Sequence, residues 1–225
     1  MKKGESGALD ICHLDEAGFA PTLPTTYSWS PVGERLNVRY EAPEGRRVNA
    51  LGAHFTHGPQ AGEFRYATWA SLPKTRAKKA TATLAEQAAA HGLEPEEVGR
   101  IDSERLLAFI WEIAGRPAVY PDDWRRERPL VIALDNYSVH KSKDVRAAQP
   151  ALTGANIELW YLPAYSPEMS GIEQVWQSVK HREMRRRSHD RLGDLKQAVD
   201  TALAQKAAAL SLAHSKTRDS LRLAA

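Results

Sequence analysis

Leu130-Val131-Ile132-Ala133-Leu134-Asp135 is an unbroken apolar run that ends on a carboxylate. A run of this length, rich in branched side chains, reads as a fully buried strand rather than a helix. Helical patterns at residues 103–114 and 142–152 flank it, and a second apolar stretch follows at residues 157–162. Strands separated by helices join through crossovers, so these two are expected to lie parallel. Upstream the pattern changes. Residues 9–14, 47–55 and 63–69 read as three strands in succession, with turn signals at Pro43, Gly45, Gly58, Pro59 and Gly62. Short turns of that kind join antiparallel neighbours. Three antiparallel strands followed by helix-separated parallel strands predict an α/β domain with a mixed five-stranded sheet flanked by helices. That is the element order of the ribonuclease-H-like fold.

The chain has 225 residues, enough for one large domain with an appendage. Residues 1–190 are expected to form the main domain, with an insertion or flap at residues 74–100. That segment carries Lys74, Arg76, Lys78 and Lys79 before an alanine-rich helical stretch. Residues 191–225 read as a helical extension, with a helix from Leu192 to about Leu212 and a frayed tail beyond Ala213. Hydrophobic residues make up 42% and charged residues 26%, ordinary globular usage, and no apolar run approaches the ~20 residues that cross a bilayer. A membrane-spanning role is excluded. Met1-Lys2-Lys3-Gly4 lacks the apolar segment of a secretory signal, so the expected location is the cytoplasm. Cys12 is the single cysteine, which excludes disulfide frameworks and cysteine-rich zinc sites; within an apolar stretch it reads as a small buried hydrophobe. A net charge of +3 agrees with a nucleic-acid partner without establishing one.

Three acids stand at the ends of core elements. Asp15 follows the strand at residues 9–14, and Asp135 follows residues 130–134. Open α/β sheets bind ligands at the C-terminal edge of their strands, where a rigid backbone holds a side chain tightly. The blander reading of either acid is a turn or cap residue. Glu173 lies in Tyr165-Ser-Pro-Glu-Met-Ser-Gly-Ile-Glu-Gln-Val-Trp176, where Ser170 and Glu173 have capping-box spacing at the start of a helix expected to run past Arg187. Glu168 is a rival acid, but it falls in the Pro-bounded approach to that helix.

His13-Leu-Asp-Glu-Ala-Gly-Phe19 with Tyr27-Ser-Trp-Ser-Pro-Val-Gly33, Leu134-Asp-Asn-Tyr-Ser-Val-His-Lys-Ser-Lys143, and Leu162-Pro-Ala-Tyr-Ser-Pro-Glu-Met-Ser-Gly-Ile-Glu-Gln-Val-Trp176 occur in that order. Together they resemble the catalytic core of mariner-related bacterial insertion-sequence transposases of the DDE superfamily, from about residue 9 to residue 185. The resemblance implies a ribonuclease-H-like fold and an Asp-Asp-Glu triad that maps onto Asp15, Asp135 and Glu173. Two departures stand out. Ser170-Gly171 replaces the Asn-Pro usual in the family, and Asp135 and Glu173 are 173 − 135 = 38 positions apart, long for mariner relatives.

What the resemblance implies is a DDE transposase that cuts and joins DNA strands with Mg2+ or Mn2+, two ions held by the triad. Hard carboxylate oxygens suit such ions, and two of them about 3.5–4 Å apart stabilise both the attacking and the leaving oxygen. Glu16, Asn136 and His140 are candidates for orienting the ligands or touching phosphate. Lys180, Arg182, Arg185 and Arg186, downstream of Glu173, are candidates for tracking DNA phosphates; a solvated helix face is the plainer alternative. Trp160, Trp176 and Tyr165 read as core or rim aromatics, and Trp29 as a surface residue. The competing readings are a stand-alone ribonuclease-H-like nuclease and a catalytically inactive DNA-binding remnant. The first catalytic strand begins within about ten residues of Met1, and full-length mariner relatives carry helix-turn-helix modules before it. The expectation is therefore the downstream half of a split transposase, partnered by an upstream helix-turn-helix half and acting as a dimer on DNA, or else a truncated copy.

Overall fold

In the computed structural model, residues 7–21, 31–34, 46–73, 82–163, 166–184 and 189–223 are described. Five strands, β1 (Asp10–Phe19), β2 (Arg47–His57), β3 (Phe64–Ser71), β4 (Leu130–Leu134) and β5 (Ile157–Tyr161), form one sheet. Their order is β3-β2-β1-β4-β5. The first three pair antiparallel, and β4 and β5 continue parallel to β1. This is the mixed ribonuclease-H-like sheet that the order of elements predicts. The helices are α1 (Leu84–Ala90), α2 (Ser103–Ile113), α3 (Lys143–Gly154), α4 (Glu173–Ser178) and α5 (Leu192–Leu223).

Alternation along the strands splits the core into two layers. Cys12 and Leu14 of β1, Leu51 and Ala53 of β2, and Leu130, Ile132 and Leu134 of β4 pack with α2 and α3. Ala17 and Phe19 of β1, with Val48 and Ala50 of β2, pack on the other face with α4 and α5. Cys12 is buried, as expected, and desolvation of the thiolate pushes its thiol far above the ordinary range.

Several boundaries differ from the sequence reading. β1 does not stop at Leu14 but runs to Phe19, because β2 keeps pairing with it through Phe19↔Val48. Its parallel pairing with β4 covers only Asp10–His13. Asp15 is therefore a mid-strand residue on a stretch that outruns β4. The segment before Glu173 forms a 3₁₀ turn, Pro167–Met169, and a tight turn, so α4 starts at Glu173 itself with Ile172 as its cap. The Ser170–Glu173 capping box does not form. The helix also ends early. Val179–Glu183 winds as a π turn and Met184 is extended; the wider turn, closed by Met184 N–H to the Val179 carbonyl at 3.0 Å, lets both residues bury. By contrast, α5 runs on to Leu223 rather than fraying beyond Ala213. Leu192, Leu195, Val199, Ala202 and Leu203 make its first half part of the core. Within the segment expected to be an insertion, α1 leads to Val98, which bridges Ala70 in parallel at the β3 edge. The lysines and arginine at positions 74–79 lie outside the described residues.

One close approach fixes α4 on the sheet. Gly52 pairs with Asp15, and a Cβ there would lie 2.5 Å from the Trp176 ring and 3.0 Å from Phe64. Trp176, itself buried, meets Phe64 edge-on with centroids 5.7 Å apart. Gly52→Ala is expected to lower the melting temperature, since overpacking a rigid ring costs about 1–3 kcal/mol and each kcal/mol is worth about 2–4 °C in a chain of this size. Calorimetry checks it; an unchanged melting temperature would show that the ring yields freely.

Candidate active site

The site begins where β1 outruns β4. Past His13 the β4-facing side of β1 is open, and a cavity of about 640 Å3 forms there, with Asp15, Glu16 and Asp135 in its lining. Asp135 is the residue at which β4 ends, and its side chain is 58% exposed. On β1 the odd-numbered positions from Asp15 to Phe19 face α4 and α5, so Asp15 points to the layer that carries Glu173. Glu16 points to the opposite layer.

Electrostatics tie the three acids together. The Asp15 carboxyl is raised to about 6, first by burial and then by the charges of Glu16, Asp135 and Glu173, against a hydrogen bond from the Glu16 amide that lowers it. Glu173 is exposed at the first position of α4, with its carboxylate free of the capping role that its spacing suggested. Glu168 sits on the 3₁₀ turn and is exposed. The acids whose charges raise Asp15 are the other three, not Glu168.

His140 is wholly buried between two carboxylates. Its Nε2 lies 2.9 Å from Glu16 Oε1, and its Nδ1 lies 2.9 Å from Asp135 Oδ1 and 3.2 Å from the Asp135 carbonyl. Burial disfavours the charged ring, but the hydrogen bonds and charges of Glu16 and Asp135 outweigh it and raise its pKa. Both ring nitrogens are turned to oxygens of Glu16 and Asp135, so neither is directed at a separate position. Ligand atoms of Glu16, Asp135 and His140 do fall within 4.8 Å of one another. The chemistry makes this a hydrogen-bonded brace for Asp135 rather than a ligand set. The Tyr137 amide adds a bond of 2.8 Å to the same Asp135 oxygen, and the Tyr161 hydroxyl donates to the His140 carbonyl at 2.9 Å. Asn136 faces elsewhere, donating to the Leu162 carbonyl at 2.6 Å and so tying the ends of β4 and β5.

Of the basic residues after Glu173, the two that are described, Lys180 and Arg182, have different surroundings. Lys180 is half-buried with its ammonium 5.6 Å over the Phe19 ring. Arg182 is exposed and lines a separate cavity of about 550 Å3 with His54, His181 and Lys206. Arg185 and Arg186 lie outside the described residues, as do Trp29 and Tyr165. Trp176 is core, whereas Trp160 on the edge strand β5 is 60% exposed. Sequence reading passed over Arg47 and Arg100, which line the same cavity as Asp15 and Asp135. Nothing in their local sequence marks them, because β2 and the Val98–Ala70 bridge are what bring them there.

The sheet is a mixed ribonuclease-H-like one with Asp15 on β1 and Asp135 directly after β4. Residues 75–196 match the family model of the DDE superfamily endonucleases, and the chain belongs to that family. Asp135 and Glu173 fall within the matched stretch; Asp15 precedes it. The fold is similar to that of the Mos1 strand transfer complex (TM-score 0.56, 15% identity, 93% of this chain and 54% of that one). It is also similar to the Mos1 transposase paired-end complex with left transposon end (0.54, 15%, 93% and 54%). A third likeness is to the Mos1 mariner paired end complex with Mn (0.53, 14%, 89% and 52%). The chain thus spans about half the length of these solved structures, and the likeness is one of fold. No curated protein matches the chain. Among the described residues, no helix is long and apolar enough to cross a membrane.

The elevated Asp15 has a consequence for stability. Its folded value of about 6 lies above the ordinary 3.8, so the folded state holds this proton more tightly than the unfolded one. The contribution of Asp15 to stability then falls as pH rises from about 3.8 to about 6 and is level above that range. Metal-free Asp15→Asn is expected to melt at a higher temperature than wild type at pH 7, with the advantage fading as pH falls toward 4. Equal melting temperatures at pH 7 would contradict the burial and neighbouring charge that raise the Asp15 carboxyl.

Proposed function

We propose that this chain is the catalytic domain of a DNA transposase, cutting DNA strands and joining a 3′ end to target DNA at Asp15, Asp135 and Glu173. The observation that carries this reading is the cleft where β1 outruns β4, lined by Asp15 and Asp135, in a chain of the DDE endonuclease family. A buried carboxyl held near other acids is stabilised in its charged form by a cation, and three hard oxygen donors suit Mg2+ or Mn2+. Two such ions supply charge stabilisation at the attacking and leaving oxygens of the phosphodiester. Asp15, Asp135 and Glu173 are the residues that would hold such ions.

The protein's own groups supply positioning. The His140 brace and the Tyr137 amide fix one Asp135 oxygen and leave the other free to ligate. Glu16 holds His140 from the far side, and its place there supports a positioning role rather than a ligand role. The Trp176 ring seated over Gly52, the partner of Asp15, anchors the helix that Glu173 opens. Packing of this kind restricts the ligands to a productive geometry before DNA arrives.

DNA is the proposed partner, both as element ends and as target, and assembly on paired ends would make the active form a dimer. The Mos1 structures, named as paired-end and strand transfer complexes, support that reading. Recognition of the ends of an insertion sequence falls, in this reading, to a helix-turn-helix portion upstream, and the cytoplasm is the expected setting. Asp135→Asn should abolish Mg2+-dependent cutting and joining of a 3′-hydroxyl donor end to a plasmid while DNA affinity stays within a few-fold of wild type. Wild-type rates in that variant would sink the mechanism. Cutting without any joined product in the wild type would favour a stand-alone nuclease.

A further inference from the structure

The cleft at the end of β4 is bipolar. Asp15, Glu16 and Asp135 line it together with Arg47 and Arg100. We propose that Arg47 and Arg100 form a phosphate clasp that grips the DNA backbone within about five base pairs of the bond cut at the carboxylates; this rests on the function proposed above.

Register sets the spacing. Arg47 opens β2, and Gly52, the partner of Asp15, is 52 − 47 = 5 positions further along. At about 3.4 Å per residue the separation along the strand is about 17 Å, and DNA advances about 3.4 Å per base pair. Arg100 comes from a different part of the chain and is held by a stack of bonds. Val98 bridges Ala70, and the Gly99 amide donates to the Ala70 carbonyl at 2.9 Å. The buried Asn49 donates to Ser71 Oγ at 2.8 Å, and Ser71 donates to the Gly99 carbonyl at 3.4 Å. Arg105 closes the stack, donating to the Arg100 carbonyl at 2.8 Å and the Val98 carbonyl at 3.1 Å with its guanidinium 5.0 Å over the Trp69 ring. Gly99 has no side chain because Arg105 occupies the space that a Cβ would need.

Arg105 is thus committed to holding the segment, while among the described residues Arg47 and Arg100 have no such role. Both are exposed, and among the described residues neither side chain forms an ion pair or a hydrogen bond, although acids share their cleft. Planar guanidinium groups bind phosphate oxygens in pairs, which makes arginine the residue for gripping a nucleic-acid backbone. A cleft with cation-binding acids at one end and free guanidiniums at the other matches a polyanion that must meet metal at a single bond and positive charge at its flanks.

The test uses Arg47→Gln, Arg100→Gln, the double variant, and Arg116→Gln as a control. Arg116 stacks between Trp111 and Tyr120, at 4.0 Å and 4.4 Å from their ring centroids, and is not part of the cleft lining. Binding of a labelled duplex of arbitrary sequence is followed across a salt series with Ca2+ present, Mn2+ binding by electron paramagnetic resonance, and phosphate contacts by ethylation interference. Each clasp variant should lose about one unit of salt slope and the double variant about two. Arg116→Gln should keep the wild-type slope, and interfering phosphates should lie within about five base pairs of the cut. A double variant with wild-type slope and wild-type contacts, while wild type still cuts with Mn2+, overturns the clasp and leaves the function standing. Slope lost equally in Arg116→Gln also overturns it. If wild type binds Mn2+ but never cuts, and the slope still falls as expected, the clasp holds and the proposed function fails.

Discussion

The seat of Trp176 over Gly52 is the contact on which the candidate site depends. A helix can approach a sheet this closely only where a side chain is missing, and the missing one is directly across from Asp15. Trp176 is one turn along α4 from Glu173, so burying the indole brings the helix start to the central strand. Burial of an aromatic ring of this size removes roughly 150–250 Å2 from water, which is ample drive to hold a helix of only six residues in place.

The second constraint is the unequal length of neighbouring strands. β1 pairs with β4 for four residues and with β2 for nearly its whole length, so the sheet opens into a cleft at the point where β4 ends. Asp15 of β1 and Asp135 after β4 line that opening, and Ser71 and Leu72 from the β3 edge reach it. His140 plugs the layer beneath, bonded to Glu16 and Asp135. The protein thus concentrates negative charge where water is partly excluded, at a cost visible in the raised Asp15 carboxyl. Sites of catalysis commonly carry such a penalty, because the groups are arranged for a ligand rather than for the empty fold.

Much of this was legible in the residues. The run at residues 130–134 and its terminal Asp135 gave the buried parallel strand and its acid, since a short branched apolar run has few other uses. The order of strands and helices gave the sheet. Local spacing misled where a neighbour decided the outcome. Ser170 and Glu173 have the separation of a capping box, yet Gly171 packs against His13 and Thr56 and the His54 ring meets its carbonyl, so the chain turns there and the helix starts three residues later. The basic stretch reads as one helical face, but burying both Val179 and Met184 demands a π turn that sends Lys180 and Arg182 to different places.

What the sequence by itself determined was the set of strands and the fold class, because those follow from hydrophobic period and the order of the elements. Tertiary structure alone decided that Asp15 lies within a strand, that His140 is spent on bracing two carboxylates, and that Arg47 and Arg100 share the cleft of the acids. The reason is one of range. Period and capping are set by residues a few positions apart, whereas strand register, an edge bridge and a ring over a glycine join residues that are tens to more than a hundred positions apart.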